Sequence, residues 1–210
     1  MILALDTATR VGWASGEPGG EPEWGVADFA SRSGTGEVLS RFRFWLMSKV
    51  IAWKPDLIVF EAPYIPVARA PRFVKAGTAV AAVAGPPPMN ASTLRRLLAM
   101  TGLVEESSFE RGIKCREATV LDITRFFTGT TRHGGRANKK AATIAACRRL
   151  GWETVSDDAA DALALWCYAE HTLAPEIASR RAAGARMELP LYGTLAAPTQ
   201  ARIIGRRVLS

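Results

Sequence analysis

Histidine and cysteine are scarce in this 210-residue chain, with two of the first and three of the second. Cys115, Cys147 and Cys167 are odd in number and show no CxxC or Cys/His ligand spacing. That removes the sequence signs of a disulfide framework or a structural zinc site. They read as small buried thiols of a reducing compartment, the cytoplasm. No apolar run is long enough to span a bilayer; ALALWCYA is too short. The stretch MILALDTATR has no basic lead, and Asp6 interrupts its apolar run, so it is not read as a signal peptide. Internal repeats are absent too.

What the chain does have is a hydrophobic content of 48%, enough for a core, at a length that suits one domain with an extension. Its net charge of +7 is segregated. Between Arg111 and Arg149 ten Lys/Arg stand against Glu117 and Asp122; from Leu173 onward six Arg stand against Glu176 and Glu188. The remainder is therefore acidic, by about five charges. Cations gathered in this way suit a polyanion with regularly spaced phosphates.

ILALD, VGWASG and WGVADFA read as three strands of a meander. TGEVLSRFRFWLMSKVIAW carries an apolar stripe through Val38, Leu39, Phe42, Trp45, Leu46 and Ile51, and predicts a helix ended by Pro55. DLIVFE is continuously apolar, the sign of a central strand covered on both faces, and closes on Glu61. From Ala62 to Asn90 six prolines stand among Arg69, Arg72 and Lys75. This reads as a long loop, with a short helix in KAGTAVAAVAG. NASTLRRLLAMTGLVEESSFERG predicts a long amphipathic helix capped by Asn90 or Ser92, IKCREA an edge strand, and TVLDITRFFTG a short helix ending at Gly129. ANKKAATIAACRRLG is a basic helix, and SDDAADALALW opens the last core helix. Past His171 the pattern weakens. The expected organisation is a domain over residues 1–172 and a basic extension over 173–210.

Four acids stand at the ends of these elements: Asp6, Glu61, Asp158 and Asp161. Plainer readings exist for some. Asp6 suits a turn, Ser156 or Asp157 an N-cap, and Asp158 the positive end of a helix dipole. Glu61 closes a buried run, where a charge wants a partner; Asp161 lies further into its helix, flanked by Ala159, Ala160 and Ala162, small neighbours that leave a carboxylate accessible. Carboxylates three apart on a helix have Cβ atoms roughly 5–6 Å apart and repel. Two divalent cations about 3.5–4 Å apart reverse the sign of that interaction. Oxygen ligands alone suit Mg2+, with Mn2+ as a substitute. Such sites commonly complete their shells with water and phosphate oxygens, which ties the acids to the basic segment.

ILALDTATRVGWA, LIVFEAP and DDAADALALW, in this order, resemble the three acidic motifs of the RuvC-type Holliday junction resolvases. The similarity is greatest to the divergent branch often encoded by bacteriophages. FFTGTTRHGGRANKKAATIAACRRLGW is similar to the family's glycine after a short helix, then lysines opening the next. The likeness spans roughly Ile2 to His171. DAADALA is its most specific piece; the first motif alone also fits actin-like ATPases and sugar kinases. The Pro-rich stretch and the basic tail depart from the family pattern.

The resemblance implies an α/β, RNase H-like fold: a five-stranded mixed sheet, three strands antiparallel and the rest parallel, with helices on both faces. It implies that Asp6, Glu61, Asp158 and Asp161 are catalytic and hold two Mg2+ ions. Asp157 is then a cap or outer ligand, or on a one-residue shift the ligand itself. Lys139 or Lys140 matches the family's active-site lysine, with Lys140 grouped with the catalytic acids. The activity implied is hydrolysis of branched DNA, a four-way junction above all, leaving 5′-phosphate and 3′-hydroxyl ends. The enzyme would be a homodimer in the cytoplasm of a bacterium or a phage-infected host, with no membrane partner.

Arg125, Arg132, Arg136, Lys139, Lys140, Arg148 and Arg149 are expected on backbone phosphates, as are Arg69, Arg72 and Lys75. Tyr64 or Phe73 either anchors its loop or stacks on an unpaired base. Leu94, Leu97, Leu98 and Leu103 serve the core or a dimer contact. Other classes fit less well. An ATP-binding relative would need a duplicated fold and Gly-rich phosphate loops, for which 210 residues leave no room. A non-catalytic DNA binder gains nothing by massing acids beside phosphates. A broader flap or branched-DNA nuclease stands closest.

Overall fold

Side-chain alternation along β1 (Ile2–Asp6) sets the layering. Ile2 and Ala4 enter one core, Leu3 and Leu5 another, and all four are fully buried. Successive side chains of a strand point to opposite faces, so a strand that is apolar throughout must be covered twice. The computed structural model describes residues 1–63, 65, 72–76, 79–83, 90–154 and 156–173, with 72–76 and 79–83 described as backbone. β2 (Arg10–Gly16) pairs antiparallel with β1, and β3 (Glu23–Asp28) antiparallel with β2. β4 (Leu57–Glu61) runs parallel to β1, from Ile2 beside Leu57 to Leu5 beside Phe60. It repeats the alternation, Leu57 and Val59 into the first core, Ile58 and Phe60 into the second. β5 (Arg72–Ala76) and β6 (Ala79–Val83) form a separate antiparallel pair. β7 (Lys114–Ala118) closes the far edge, parallel to β4. The main sheet thus runs β3-β2-β1-β4-β7, the mixed five-stranded α/β architecture expected from the sequence.

Helix α1 (Thr35–Trp53) covers the second core with Val38, Phe42, Leu46 and Val50, one stripe at a spacing of four. It stops at Lys54, whose φ of 47° is left-handed, just before Pro55. α2 (Ala91–Glu110) adds Met100 and Val104 to the same core. Its cap is Asn90, whose Oδ1 accepts from the Ser92 amide at 2.9 Å. Asn90→Ala is expected to destabilise the fold by about 1 kcal/mol, read as a lower urea midpoint with an unchanged slope.

On the opposite face lie α3 (Val120–Thr128), α4 (Arg136–Arg149) and α5 (Asp157–Tyr168). From Ala159 on, α5 is buried nearly all round, including Ala160, Leu163 and Trp166, while its first turn keeps Asp157 and Asp158 partly open. Its alanines let it lie close on the sheet. A short π-helical turn, Ala169–Leu173, follows. Among the described residues no helix is long and apolar enough to cross a membrane.

One expectation is corrected. KAGTAVAAVAG does not form a helix; it supplies most of the β5–β6 pair, with Arg72 opposite Val83 and Ala76 opposite Ala79. Alanine's helix preference is a weak prior, and cross-strand pairing of the Val-containing runs outweighs it. Arg72, Phe73 and Lys75 lie on β5. Tyr64, Arg69 and residues 174–210 of the extension lie outside the described residues.

Candidate active site

The same alternation that builds the cores aims the acids. Asp6 continues the Ile2, Ala4 series and Glu61 the Leu57, Val59 series, so both belong to the face covered by α5. They stand one step past the last parallel pair, Leu5 and Phe60, side by side where two central strands end. On the other side of β1, Gly12 lies opposite Asp6. A Cβ on Gly12 would fall 1.9 Å from the main-chain oxygen of Asp158. The first turn of α5 therefore rests on bare backbone, which brings Asp158 and Asp161 to the ends of β1 and β4. Nothing in the sequence reading singled out Gly12.

The acids lie near enough for their charges to act on one another. The Asp6 carboxyl is held well above the usual carboxylate range, first by burial, then by Glu61, Asp161 and Asp158, with Lys139 opposing. Glu61 is pushed up to about 7, mainly by burial, with Lys139 opposing and Asp161 adding. Asp161 is raised as well, by burial first, against Lys139 and Lys140 and with Asp157 and Asp158 adding. Four carboxyls from three chain-distant elements thus act on one another, and burial, more than repulsion, raises the three that shift, with Lys139 opposing at each.

Helix α4 supplies that charge. It begins after Gly134 and Gly135, with φ of 70° and 148°, where a side chain would be strained. Lys139 lies four residues before Thr143 and eight before Cys147, both buried, so it shares their inward stripe. Thr143 Oγ1 donates to the Lys139 carbonyl at 3.1 Å. Lys140 pairs instead with Asp157. A second ion pair joins Arg10 Nε to Asp158 Oδ2 at 3.2 Å. Arg10 was missed in the sequence, although Arg10, Gly12 and Ala14 alternate onto the α5 face, a signal of period two. Among the described residues no three acidic, histidine or cysteine side chains form a ready-made metal cage. Asp157 and Asp158 are turned to Lys140 and Arg10 instead.

The remaining predicted cations, Arg125, Arg132, Arg136, Arg148 and Arg149, stand exposed on α3, the following loop and α4. Of the leucines of α2, Leu103 packs on the core and Leu98 is exposed. Cys147 and Cys167 are buried and their thiols are pushed up to about 12, mainly by that burial, which removes thiolate chemistry.

No protein-family model and no curated protein matches the sequence. Solved structures do match. Thermus thermophilus RuvC in complex with a Holliday junction substrate has a TM-score of 0.53 at 12% identity, covering 81% of this chain and 96% of that one. A second Thermus thermophilus RuvC structure has a TM-score of 0.52 at 14% identity, covering 86% and 96%. The yeast mitochondrial Holliday junction resolvase has 0.51 at 10%, covering 86% and 83%. The chain has the RuvC fold. Within this RuvC fold the acids lie at the ends of β1 and β4, under the first turn of α5. Beside them runs an open cleft of about 660 Å³, lined by Thr9, Arg10, Thr93, Lys140, Asp157 and Asp158 among others.

Proposed function

We propose that the protein is a divalent-metal-dependent endonuclease of branched DNA, acting above all on four-way junctions. The observation that carries this reading is that Asp6, Glu61 and Asp161, from three chain-distant elements, are all raised, by burial first, and lie close enough for their charges to act on one another, with Asp158 adding to Asp6 and Asp161. The donor set fits hard cations: it is oxygen throughout, and its repulsion is what bound positive charge relieves. These four side chains would hold two Mg2+ ions, with Mn2+ as a substitute. When bound, the ions supply activation of a water for in-line attack and stabilisation of the leaving 3′ oxygen.

The chain's own residues divide the remaining work. Asp158 is preferred to Asp157 as a ligand, because its charge acts on both Asp6 and Asp161, whereas that of Asp157 acts on Asp161; each is paired with a cation, Asp158 with Arg10 and Asp157 with Lys140. Lys139 is preferred to Lys140 beside the scissile phosphate, since it acts on three of the four acids. There it would offset charge on the non-bridging oxygens. Arg125, Arg132, Arg136, Arg148 and Arg149, with Arg69, Arg72 and Lys75, would hold flanking phosphates without reading sequence. A homodimer would present two such sites to the two strands of a junction. The Holliday junction bound to the Thermus RuvC supports the choice of substrate.

With Mg2+ and a labelled four-way junction, the expected products are paired, symmetric nicks with 5′-phosphate and 3′-hydroxyl ends. Chelation should end the cutting and Mn2+ restore it. Cutting of flaps but not of junctions would assign the broader nuclease. Binding without cutting under any divalent ion would sink the enzyme reading.

A further inference from the structure

We propose that Arg10 is a latch on metal loading: it holds Asp158 in the DNA-free protein and releases it when a DNA phosphate takes the guanidinium. Metal and DNA then bind with positive coupling. The inference rests on the metal-nuclease reading above and adds a positioning residue to it.

The latch is built from a fixed backbone and a free side chain. Thr9, the residue before Arg10, is pinned twice: its carbonyl accepts from the Phe29 amide at 2.9 Å and its Oγ1 from Arg96 Nη1 at 3.1 Å. Arg10 itself has a side chain 59% exposed, against 31% for Asp158. The pair is therefore accessible, and the guanidinium can swing without disturbing the strand. Among the described residues its contact is Nε on Asp158 Oδ2 at 3.2 Å. The side chain faces the open cleft, where Lys140 is held by Asp157 in the same manner. Among the described residues, the two cations that line this cleft are thus paired with acids of the first turn of α5.

One carboxylate cannot serve a guanidinium and a divalent ion equally well. In the free protein an incoming ion must displace Arg10 from Asp158. A phosphate entering the cleft offers Arg10 a planar, two-point partner of the kind it prefers. That leaves Asp158 to the ion. Coupling of this kind is reciprocal, so the ion must tighten DNA binding as much as DNA tightens the ion.

The test measures binding, not cutting. Mn2+ is titrated into the DNA-free protein by calorimetry, and junction affinity is measured separately in chelator. Arg10→Gln is expected to bind Mn2+ about two- to fivefold more tightly, the worth of a half-exposed ion pair. The same variant should bind junctions more weakly, with a salt slope smaller by about one. Arg10→Lys should keep Mn2+ affinity near that of the parent. Unchanged or weaker Mn2+ binding in Arg10→Gln overturns the latch and leaves the metal site standing, and unchanged junction affinity overturns it as well. Equal tightening in Arg148→Gln would reduce the effect to general charge and also overturn it. If neither parent nor variant binds Mn2+, the nuclease reading itself fails.

Discussion

Glu61→Gln is expected to lower junction cleavage by about 10²–10³-fold and, in the same protein, to stabilise the metal-free fold above pH 7. The two effects have one cause. Folded Glu61 titrates near 7 where its ordinary value is 4.5, chiefly because it is buried. Between those values the folded chain keeps a proton that the unfolded chain has released. Stability must then fall as pH rises through that window, and above about 7 the full penalty, on the order of 3 kcal/mol, is present. Asp6 and Asp161 are shifted in the same direction and add to the fall. Glutamine keeps the shape and carries no charge. In chelator, parent and variant should unfold together below about pH 4.5, and the variant should lead by about 5–10 °C at pH 8. Mg2+ at pH 8 should raise the parent's midpoint and leave the variant's nearly unmoved. A parent that gains stability through the same window would show that Glu61 is well paired, and the burial penalty on its carboxylate would be wrong.

Gly12→Ala should be the most damaging glycine-to-alanine substitution among the described residues. Its added methyl would meet the Asp158 main-chain oxygen at 1.9 Å and the adjoining carbon at 2.5 Å. Both atoms are backbone, so no rotamer change relieves the clash. Gly12 is not among the glycines with left-handed φ, so the strain is steric. Overpacking a core typically costs about 1–3 kcal/mol, and here a whole helix must shift, so a loss of about 3 kcal/mol or more is expected. The shift would also carry Asp158 and Asp161 away from Asp6. Cleavage should therefore be lost even at temperatures where the variant is folded. Urea denaturation and a junction assay at low temperature check the two effects separately. A variant of normal stability and full activity would mean that α5 does not rest on β2.

Most of the scaffold was legible because its signals are periodic. The spacing of Val38, Phe42 and Leu46 announces α1, and the unbroken run before Glu61 announces a strand covered on both faces. Asn90, Gly129 and Ser156 mark helix ends by local chemistry alone. The acids stand out in the sequence as a set at the ends of elements, while Asp6 or Asp158 taken alone reads equally well as a turn or a first-turn residue. What could not be read depends on distance in space. Gly12 matters because Asp158, far along the chain, arrives on top of it. The choice between Lys139 and Lys140 depends on the rotation of α4, which Thr143 and Cys147 fix. The β5–β6 pair was hidden because runs of alanine and valine suit either periodicity.

The two cores also separate tolerance from chemistry. Everything proposed to touch DNA phosphate or metal at the acid pocket sits on the α5 side of the sheet. Leu3, Leu5, Ile58 and Phe60, beneath α1 and α2, hold up the platform from behind. Residues on that rear side answer to volume and greasiness alone, and many combinations meet such a demand. A chain built this way can exchange most of its letters and still keep the same fold, as the 10–14% identity to the solved structures it resembles illustrates.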